Sequence, residues 1–388
     1  MKILQVVPFF SPAYMFGGPV AVSYQLSREL ARREHEVVVY SSDAKDLTTR
    51  LNIESPSMLD DIKVYYFKNI SMKLVEGLKL FITPGLFSKV KNELKEFNII
   101  HLHEYSTFQN IIVAHYANKY GIPYVLQAHG SLSSVGAHQK LKLIYNKFFG
   151  YKLLRNASKV IALSQTEAQQ YRNAGVPDDK IIIIPNGIDL SEYAELPSKG
   201  IFKKNHGLDK KEKIILYLGR IHQTKGLDLL ADTFQVVSKD ISNVKLVIIG
   251  PDDGYLATFS KRISDLGIQE KVLLTGFVEK KEKLEALIDS NVFVTPSYDG
   301  FPVTFLEACL TGCPIVTTSN ELEWINENVG FVTSPNTSDL SRAIYKIISD
   351  DELHDFFSKK CREIVELKFS LDIVVSKLEQ VYREVVEE

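Results

Sequence analysis

The chain has 388 residues, of which 45% are hydrophobic, and its 46 basic and 48 acidic residues leave a net charge of −2. This length exceeds what one hydrophobic core usually serves, so we expect two domains. The near-neutral charge excludes the overall basic character of nucleic-acid-binding proteins, and no apolar run approaches the ~18 residues of a membrane-spanning helix.

The first half of the chain alternates short β-branched runs with amphipathic stretches. Most of the runs are continuously apolar, as the strands of a parallel sheet covered on both faces are. Helical patterns between them cover 20–33, 108–120 and 141–154. The predicted strands are 3–7, 36–40, 64–67, 99–102, 124–126, 160–163 and 181–184.

Small residues and histidines stand at the strand ends of this half. Gly17 and Gly18 lie at the first strand-to-helix turn, where the close approach of a ligand requires small residues. They lack the G-x-G-x-x-G spacing, which argues against a dinucleotide oxidoreductase. His101 and His103 alternate on one strand and fit an acceptor-side or structural role better than metal binding. His129 directly follows another strand, where a histidine is more often structural than catalytic.

The second half repeats the same alternation after a charged, proline-containing stretch, which places a linker near 192–212. The run 369–386 has the pattern of one amphipathic helix. The sequence therefore predicts an α/β protein with two Rossmann-like domains in tandem, 1–195 and 196–368, followed by a C-terminal helix over 369–388. The strands predicted in this half are 214–218, 245–249, 272–275, 292–295 and 315–317.

A Gly-Arg motif with a nearby Lys-Gly pair follows the first strand of the second half. Ligands of open α/β sheets bind at the C-terminal ends of the strands, so Arg220 and Lys225 are placed to converge on a diphosphate. Either residue alone would more often be a solvated charge.

Two carboxylates, Asp299 and Glu307, flank the predicted start of a helix near Pro302. The free N–H groups and the dipole at a helix N-terminus favour an anion. Such a place can bind a phosphate and recognise hydroxyl groups beside it, although an ordinary capped surface helix also fits. The turn sequence Asn186-Gly-Ile-Asp189 fits a structural role.

Taken together, these motifs resemble those of the retaining GT-B glycosyltransferases of family four, the sucrose-synthase-like and mannosyltransferase-like group. Both acids of the family's acid-x7-acid signature are usually glutamates, whereas the first is Asp299 in this chain. The resemblance implies two Rossmann-like domains that face a central cleft, with the acceptor bound by the first and the nucleotide sugar by the second. It also implies that the C-terminal helix crosses back to the first domain, although a helix that caps the second domain fits the sequence as well.

The resemblance also implies a role for each matching residue. Asp299 would contact a hydroxyl of the donor sugar, Glu307 the ribose, and His129 the sugar near the reacting carbon. The acceptor side would comprise Gly17, Gly18, His103 and His129. The remaining donor-binding residues would be Gly219, Arg220 and Lys225 around the diphosphate, Phe277 and Val278 beside the base, and Gly300, Phe301, Pro302, Val303 and Thr304 along the phosphate and sugar.

The implied reaction is metal-independent transfer of a sugar, most simply a hexose, from a UDP- or GDP-sugar to a glycan or polyprenyl-linked acceptor, with retention of the anomeric configuration. No protein-bound cofactor or metal is expected. Two other classes fit a similar tandem fold. They are a sugar-nucleotide epimerase, which would need an acid/base pair around the sugar carbon, and a non-catalytic sugar-nucleotide-binding protein.

Composition also bears on location. Three cysteines without a metal-like cluster favour a cytoplasmic setting. The segment 139–159 interleaves basic with aromatic and aliphatic residues, and no acidic residue occurs between Glu104 and Glu167. This composition fits either an anionic membrane surface or a core helix with a solvated basic face, so peripheral attachment to the inner face of the cell membrane is one expectation.

Overall fold

The computed structural model describes residues 1–132, 143–296, 301–319, 322–326 and 328–387, except the side chain of Glu323. The chain forms two compact units. The first comprises Met1–Gly187 with Leu371–Glu388, and the second comprises Ile188–Ser370. Each contains a mainly or wholly parallel sheet with helices, in agreement with the predicted α/β class.

The sheet of the first unit has the strand order β3-β4-β2-β1-β5-β6-β7-β8. All of its pairings are parallel except that of β3 with β4. The β1 strand is central and almost wholly buried, although the polar Gln5 interrupts its apolar run. The strands are β1 Lys2–Val6, β2 Glu36–Ser42, β3 Ser57–Leu59, β4 Ile62–Phe67, β5 Ile99–His103, β6 Tyr124–Gln127, β7 Lys159–Ala162 and β8 Ile181–Ile183.

Helices connect these strands, and a last helix from the chain end completes the unit. They are α1 Gly18–Arg32, α2 Met72–Leu78, α3 Gly85–Glu93, α4 Phe108–Tyr120, α5 Tyr151–Asn156, α6 Gln165–Asn173 and the last helix, Leu371–Glu387. The described part of the predicted helix over 141–154 is helical, and it contains a π-helical turn, Asn146–Gly150, directly before α5. A Cβ atom on Gly150 would lie 2.1 Å from the Tyr105 hydroxyl, so glycine permits this close approach.

The last helix packs against α1 through a cluster of charged side chains. Arg33 Nη1 donates to Glu379 Oε2 at 2.8 Å, and Arg33 also pairs with Asp372 and Glu29. His35 Nε2 lies 2.7 Å from Glu379 Oε1. Because most of these side chains are partly shielded from water, the cluster ties the end of the chain to the first unit more firmly than exposed ion pairs would.

The second unit contains a six-stranded, wholly parallel sheet in the order β11-β10-β9-β12-β13-β14. The short edge strand β14 is absent from the sequence prediction. The strands are β9 Lys213–Leu218, β10 Val244–Ile249, β11 Val272–Gly276, β12 Val292–Thr295, β13 Ile315–Thr317 and β14 Gly330–Val332. The helices are α7 Ile201–Asn205, α8 Leu227–Asp240, α9 Leu256–Asp265, α10 Lys280–Asp289, α11 Val303–Leu310, α12 Thr337–Ser349 and α13 Asp351–Lys368; the last helix, Leu371–Glu387, is α14.

The stretch 192–212, interpreted above as a linker, is folded into the second unit, and the division between units falls earlier, at Gly187/Ile188. Phe202 in α7 is fully buried, and the carboxylate of Asp289 accepts hydrogen bonds from the backbone N–H groups of Gly200 and Lys203. Most charged residues of this stretch lie outside α7, and within α7 Lys203 is buried whereas Lys204 is exposed. The return to the first unit falls between Ser370 and Leu371, where α14 begins.

Among the described residues, no helix is both long and apolar enough to cross a membrane.

Candidate functional site

The C-terminal strand ends of the second sheet bring several of the predicted donor-binding residues to one edge. Gly219 and Arg220 directly follow β9, Phe277 directly follows β11, and the segment before α11 follows β12. In a parallel sheet these ends lie on the same side, which is where open α/β sheets bind their ligands.

The loops at this edge are joined through their backbones. Gly219 N donates to Ile249 O at 3.0 Å, and Gly250 N donates to Gly276 O at 2.9 Å. A Cβ atom on Gly250 would lie 1.9 Å from Gly219 O, so only glycine fits at position 250. Three neighbouring strand ends are thereby fixed relative to one another, and the loop that carries Arg220 starts from a rigid base.

Arg220 is exposed, and its Nη1 forms an ion pair with Asp253 of the neighbouring loop. Its backbone carbonyl accepts a hydrogen bond from Tyr217 Oη at 3.1 Å. Lys225 ends a 3-10 turn that His222 caps, and Gly226, in a left-handed conformation with φ 68°, leads into α8. Both cations thus lie on one short loop between β9 and α8.

Phe277 and Val278 follow the end of β11. Phe277 is 64% exposed, whereas Val278 is half-buried. Exposure of so large an aromatic ring at a strand end is compatible with a planar ligand that would cover it.

The segment before α11 is anchored by aromatic packing. The Phe301 ring lies 5.2 Å from the ring of Phe369 and 6.0 Å from that of Trp324, between ring centroids. Pro302 occupies the N-cap position of α11, in agreement with the predicted start of this helix, and Val303 and Thr304 are half-buried in its first turn. Asp299 and Gly300 lie outside the described residues.

Glu307 is buried in α11 and is held by two side chains that the sequence analysis missed. Its Oε1 accepts hydrogen bonds from Tyr193 Oη at 2.9 Å and from Lys283 Nζ at 2.6 Å. Burial, and then the neighbouring Glu307 carboxylate, raise the pKa of Tyr193 far above its usual range. The only sequence signal for Tyr193 is its place just after the Asn186–Asp189 turn, where Asp189 caps the 3-10 helix Leu190–Tyr193. Lys283 has no such signal, because it is one of several lysines near the start of α10.

In the first unit, His129 belongs to a stack of three imidazoles. The His103 ring centroid lies 5.1 Å from that of His129 and 4.1 Å from that of His101, with nearly parallel planes. His103 is fully buried, and its two ring nitrogens lie 2.8 Å from His129 Nε2 and 2.6 Å from Gln5 Oε1. His103 therefore touches His129 and not solvent. Burial lowers the pKa of His101 to about 3 and that of His129 to about 4, and it lowers the pKa of His103 well below its usual range.

The backbone at His129 is held in a left-handed conformation, with φ 52°. Glu167 supports the turn, since its Oε1 accepts from Gly130 N at 2.7 Å and its Oε2 from Leu163 N at 2.6 Å. Ser131 Oγ donates to Ala128 O at 2.5 Å. Positive φ is uncommon for a residue other than glycine and indicates a position that the surroundings determine.

Gly17 and Gly18 are exposed at the start of α1. Gly17 has φ 82°, a conformation that favours glycine, whereas a Cβ atom on Gly18 would meet nothing within 4 Å. The backbone conformation therefore favours glycine at position 17. At position 18, glycine leaves open space beside the N-terminus of α1.

In the described parts of the chain, no group of three or more His, Cys, Asp or Glu side chains could hold a metal ion. The three cysteines are buried and free.

The matches to known protein families together span most of the chain. Residues 16–192 match the model of Glycosyltransferase Family 4, and residues 198–364 match the model of Glycosyl transferases group 1. A galactosyltransferase of Escherichia coli, named UDP-Gal:alpha-D-GlcNAc-diphosphoundecaprenol alpha-1,3-galactosyltransferase, is 25% identical over 99% of this chain and 96% of its own length. The N-acetyl-alpha-D-glucosaminyl L-malate synthase of Bacillus anthracis is 24% identical over 95% of this chain and 94% of its own.

Solved structures show the same fold. Sucrose-phosphate synthase of Thermosynechococcus elongatus superposes with a TM-score of 0.76 at 19% identity, covering 99% of both chains. HepE of Anabaena, solved in complex with UDP-glucose, superposes with a TM-score of 0.78 at 20% identity, covering 99% of this chain and 100% of that one. The predicted fold class is confirmed. The chain belongs to the family-four-type GT-B glycosyltransferases, and it is an enzyme that transfers a sugar from a nucleotide sugar to a glycan or lipid acceptor.

Proposed function

We propose that the enzyme transfers a hexosyl group from a UDP- or GDP-sugar with retention of the anomeric configuration and without a metal ion. The observation that carries this proposal is the pair of cations, Arg220 and Lys225, on one loop at the C-terminal edge of the second sheet. The proteins of this family bind nucleotide sugars. Preorganised cations of this kind can stabilise the charge that develops on a departing diphosphate.

In this proposal the bond between the anomeric carbon and the diphosphate oxygen breaks, and a bond from the acceptor hydroxyl forms on the same face of the sugar. The acceptor proton passes to the leaving phosphate oxygen, so no protein nucleophile is required. Arg220, Lys225 and the backbone before α11 meet the negative charge. Asp299 and His129 would contact the sugar, and Glu307 the ribose.

The stereochemical outcome is the direct test. Proton NMR of the first product formed should show the anomeric configuration of the donor, and turnover should survive an excess of EDTA. A product of inverted configuration would exclude the proposed mechanism, and a loss of activity that added Mg²⁺ or Mn²⁺ restores would exclude metal independence. Incubating the donor without an acceptor addresses the epimerase alternative, because an epimerase would form an isomeric nucleotide sugar.

The contacts of Glu307 lead to a binding prediction. Glu307→Gln should weaken the binding of free UDP or GDP about tenfold or more, because a charge-assisted hydrogen bond to ribose is worth roughly 1.5–3 kcal/mol. Lys283→Met should act in the same direction, since it removes the cation that orients this buried carboxylate. Asp299→Asn should leave free nucleotide binding unchanged, because Asp299 is assigned to the sugar.

Isothermal titration calorimetry measures these affinities. Lys281→Met is the matched control, because Lys281 is an exposed lysine on the same helix. An Asp299→Asn variant that loses nucleotide affinity while Glu307→Gln keeps it would reverse the proposed division of roles.

We further propose an acceptor at a membrane surface, such as a polyprenyl-linked sugar. Residues 143–155 of the basic segment form an amphipathic stretch, with Leu153 and Leu154 buried. Lys147, Lys152 and Arg155 are exposed on the same segment. Its exposed apolar side chains are Leu143, Ile144, Phe148, Phe149 and Tyr151, at 46–65% exposure. Apolar side chains among cations suit an anionic leaflet, where each Lys or Arg adds about 1 kcal/mol.

Liposome co-sedimentation tests this surface. Binding should require anionic lipid, weaken with salt, and fall several-fold in a Lys147→Glu/Lys152→Glu variant and in a Phe148→Ser/Phe149→Ser variant. Lys239→Glu/Lys261→Glu makes the same charge change at exposed positions of the second unit and should bind normally. Binding that ignores lipid charge, salt and both segment variants would favour a soluble acceptor.

A further inference from the structure

A chain of hydrogen bonds runs from His129 through the core of the first unit to its last helix. His129 Nε2 lies 2.8 Å from His103 Nδ1, and His103 Nε2 lies 2.6 Å from Gln5 Oε1. Gln5 Nε2 donates to Tyr382 Oη at 3.3 Å, and Tyr382 Oη lies 2.7 Å from His101 Nδ1. These residues come from β5, β1 and α14 and from the turn after β6.

The orientation of the Gln5 amide sets the direction in which these hydrogen bonds are donated. An amide oxygen only accepts, so His103 must carry its proton on Nε2, next to Gln5 Oε1. A neutral His103 then has a lone pair on Nδ1, which can only accept. The proton of the bond between the two imidazoles must therefore belong to His129 Nε2, and a neutral His129 has its lone pair on Nδ1.

We propose that Gln5, His103 and Tyr382 are positioning residues, which hold His129 in the tautomer that is protonated on Nε2 and has a bare Nδ1. This inference rests on the proposed contact between His129 and the donor sugar. A bare Nδ1 can accept a hydrogen bond from a sugar hydroxyl, whereas the other tautomer would present an N–H group there. Among the residues that the structure describes, Nδ1 of His129 has no hydrogen-bond partner.

Two further features of the site suit this role. Burial keeps the imidazoles neutral, which the tautomer argument requires. The backbone of His129 is fixed separately, through the left-handed turn that Glu167 supports. Ring position and ring protonation are thus determined by different neighbours, as in other sites where an outer partner selects the tautomer of a functional histidine.

In the structure the Tyr382 hydroxyl accepts from Gln5 Nε2, with Gln5 Oε1 at His103 Nε2. Without that acceptor the amide can turn over and present Nε2 to His103. The hydrogen bonds from Gln5 to His103 and from His103 to His129 would then exchange donor and acceptor, and His129 would carry its proton on Nδ1. Tyr382→Phe is therefore the informative variant, and Gln5→Met, which removes the amide, is the second.

The direct test is ¹⁵N NMR of the imidazole nitrogens in the ligand-free protein, assigned by comparison with His129→Asn. The wild type should show His129 protonated on Nε2, and Tyr382→Phe should show a mixture of tautomers. Tyr124→Phe is the matched control, because it also removes one buried hydroxyl of this unit, one that donates to Leu153 O at 2.6 Å. It should leave the His129 signals unchanged. A wild type protonated on Nδ1 would overturn the proposal.

Kinetics supply the second measurement. Tyr382→Phe and Gln5→Met should lower kcat/KM for the donor about tenfold, while the Kd of the free nucleoside diphosphate stays within about twofold because no sugar is present. Tyr124→Phe should retain kcat/KM. An unchanged kcat/KM in Tyr382→Phe with an altered tautomer would also overturn the proposal. Failure of the proposed function itself would look different, since the wild type would then show no retaining transfer whatever its tautomer.

Discussion

Replacing Arg220 by alanine is expected to lower kcat by about 100-fold, equivalent to roughly 3 kcal/mol of transition-state stabilisation. Lys225→Ala should have an effect of the same order. The physical reason is that, in the proposed mechanism, both cations face the charge that appears on the diphosphate when the bond to the sugar breaks. Folding should be intact, because Arg220 is exposed and, among the described residues, its side chain pairs with Asp253, a half-buried residue of a neighbouring loop.

Steady-state kinetics at saturating donor measure this effect, with circular dichroism to verify folding. Arg262→Ala is the matched control, since Arg262 is an exposed arginine of the second unit paired with Asp232 on the neighbouring helix, and it should keep near-normal kcat. Asp253→Asn removes the ion pair while leaving Arg220 in place, and it should lower kcat by no more than a few-fold. Near-normal turnover in Arg220→Ala or Lys225→Ala would refute the diphosphate clamp.

Acidification should destabilise the first unit well before its carboxylates are protonated. Burial lowers the pKa of His101 to about 3 and of His129 to about 4, against about 6.5 in an unfolded chain. The unfolded state therefore binds more protons, and stability falls as the pH drops from about 6.5 towards 4. At pH 5 the loss amounts to about 2 kcal/mol for each such histidine.

Hydrogen–deuterium exchange, corrected for the intrinsic pH dependence of amide exchange, resolves this effect by segment. Between pH 7.5 and 5, protection should decrease in β1 and β5 more than in β10 of the second unit. Glu29 and Glu379 have lowered pKa values in the folded protein, so their contributions to its stability are lost only below pH 5.

His101→Gln should make the pH dependence shallower, and His115→Gln, at an exposed position of α4, should not. Equal loss of protection in both units, or an unchanged slope in His101→Gln, would refute the assignment to the buried histidines.

The sequence by itself determined the elements and the family. Continuous apolar runs located most strands of both sheets, with the two short edge strands β3 and β14 missed, because burial on both faces of a parallel sheet leaves a local signature. The loop with Arg220 and Lys225 and the helix with Glu307 were recognisable for the same reason, since each motif lies within a short stretch of chain.

The tertiary structure alone decided the partners of the buried polar groups. Glu307 is held by Tyr193, which is 114 positions away, and Gln5 meets Tyr382 across 377 positions. The charged stretch 192–212 has the composition of a linker but folds as part of the second unit, because the Asp289 carboxylate accepts hydrogen bonds from backbone N–H groups around α7. A buried polar group must be paired, yet its partner depends on which distant segments packing brings together, and no local periodicity encodes that choice.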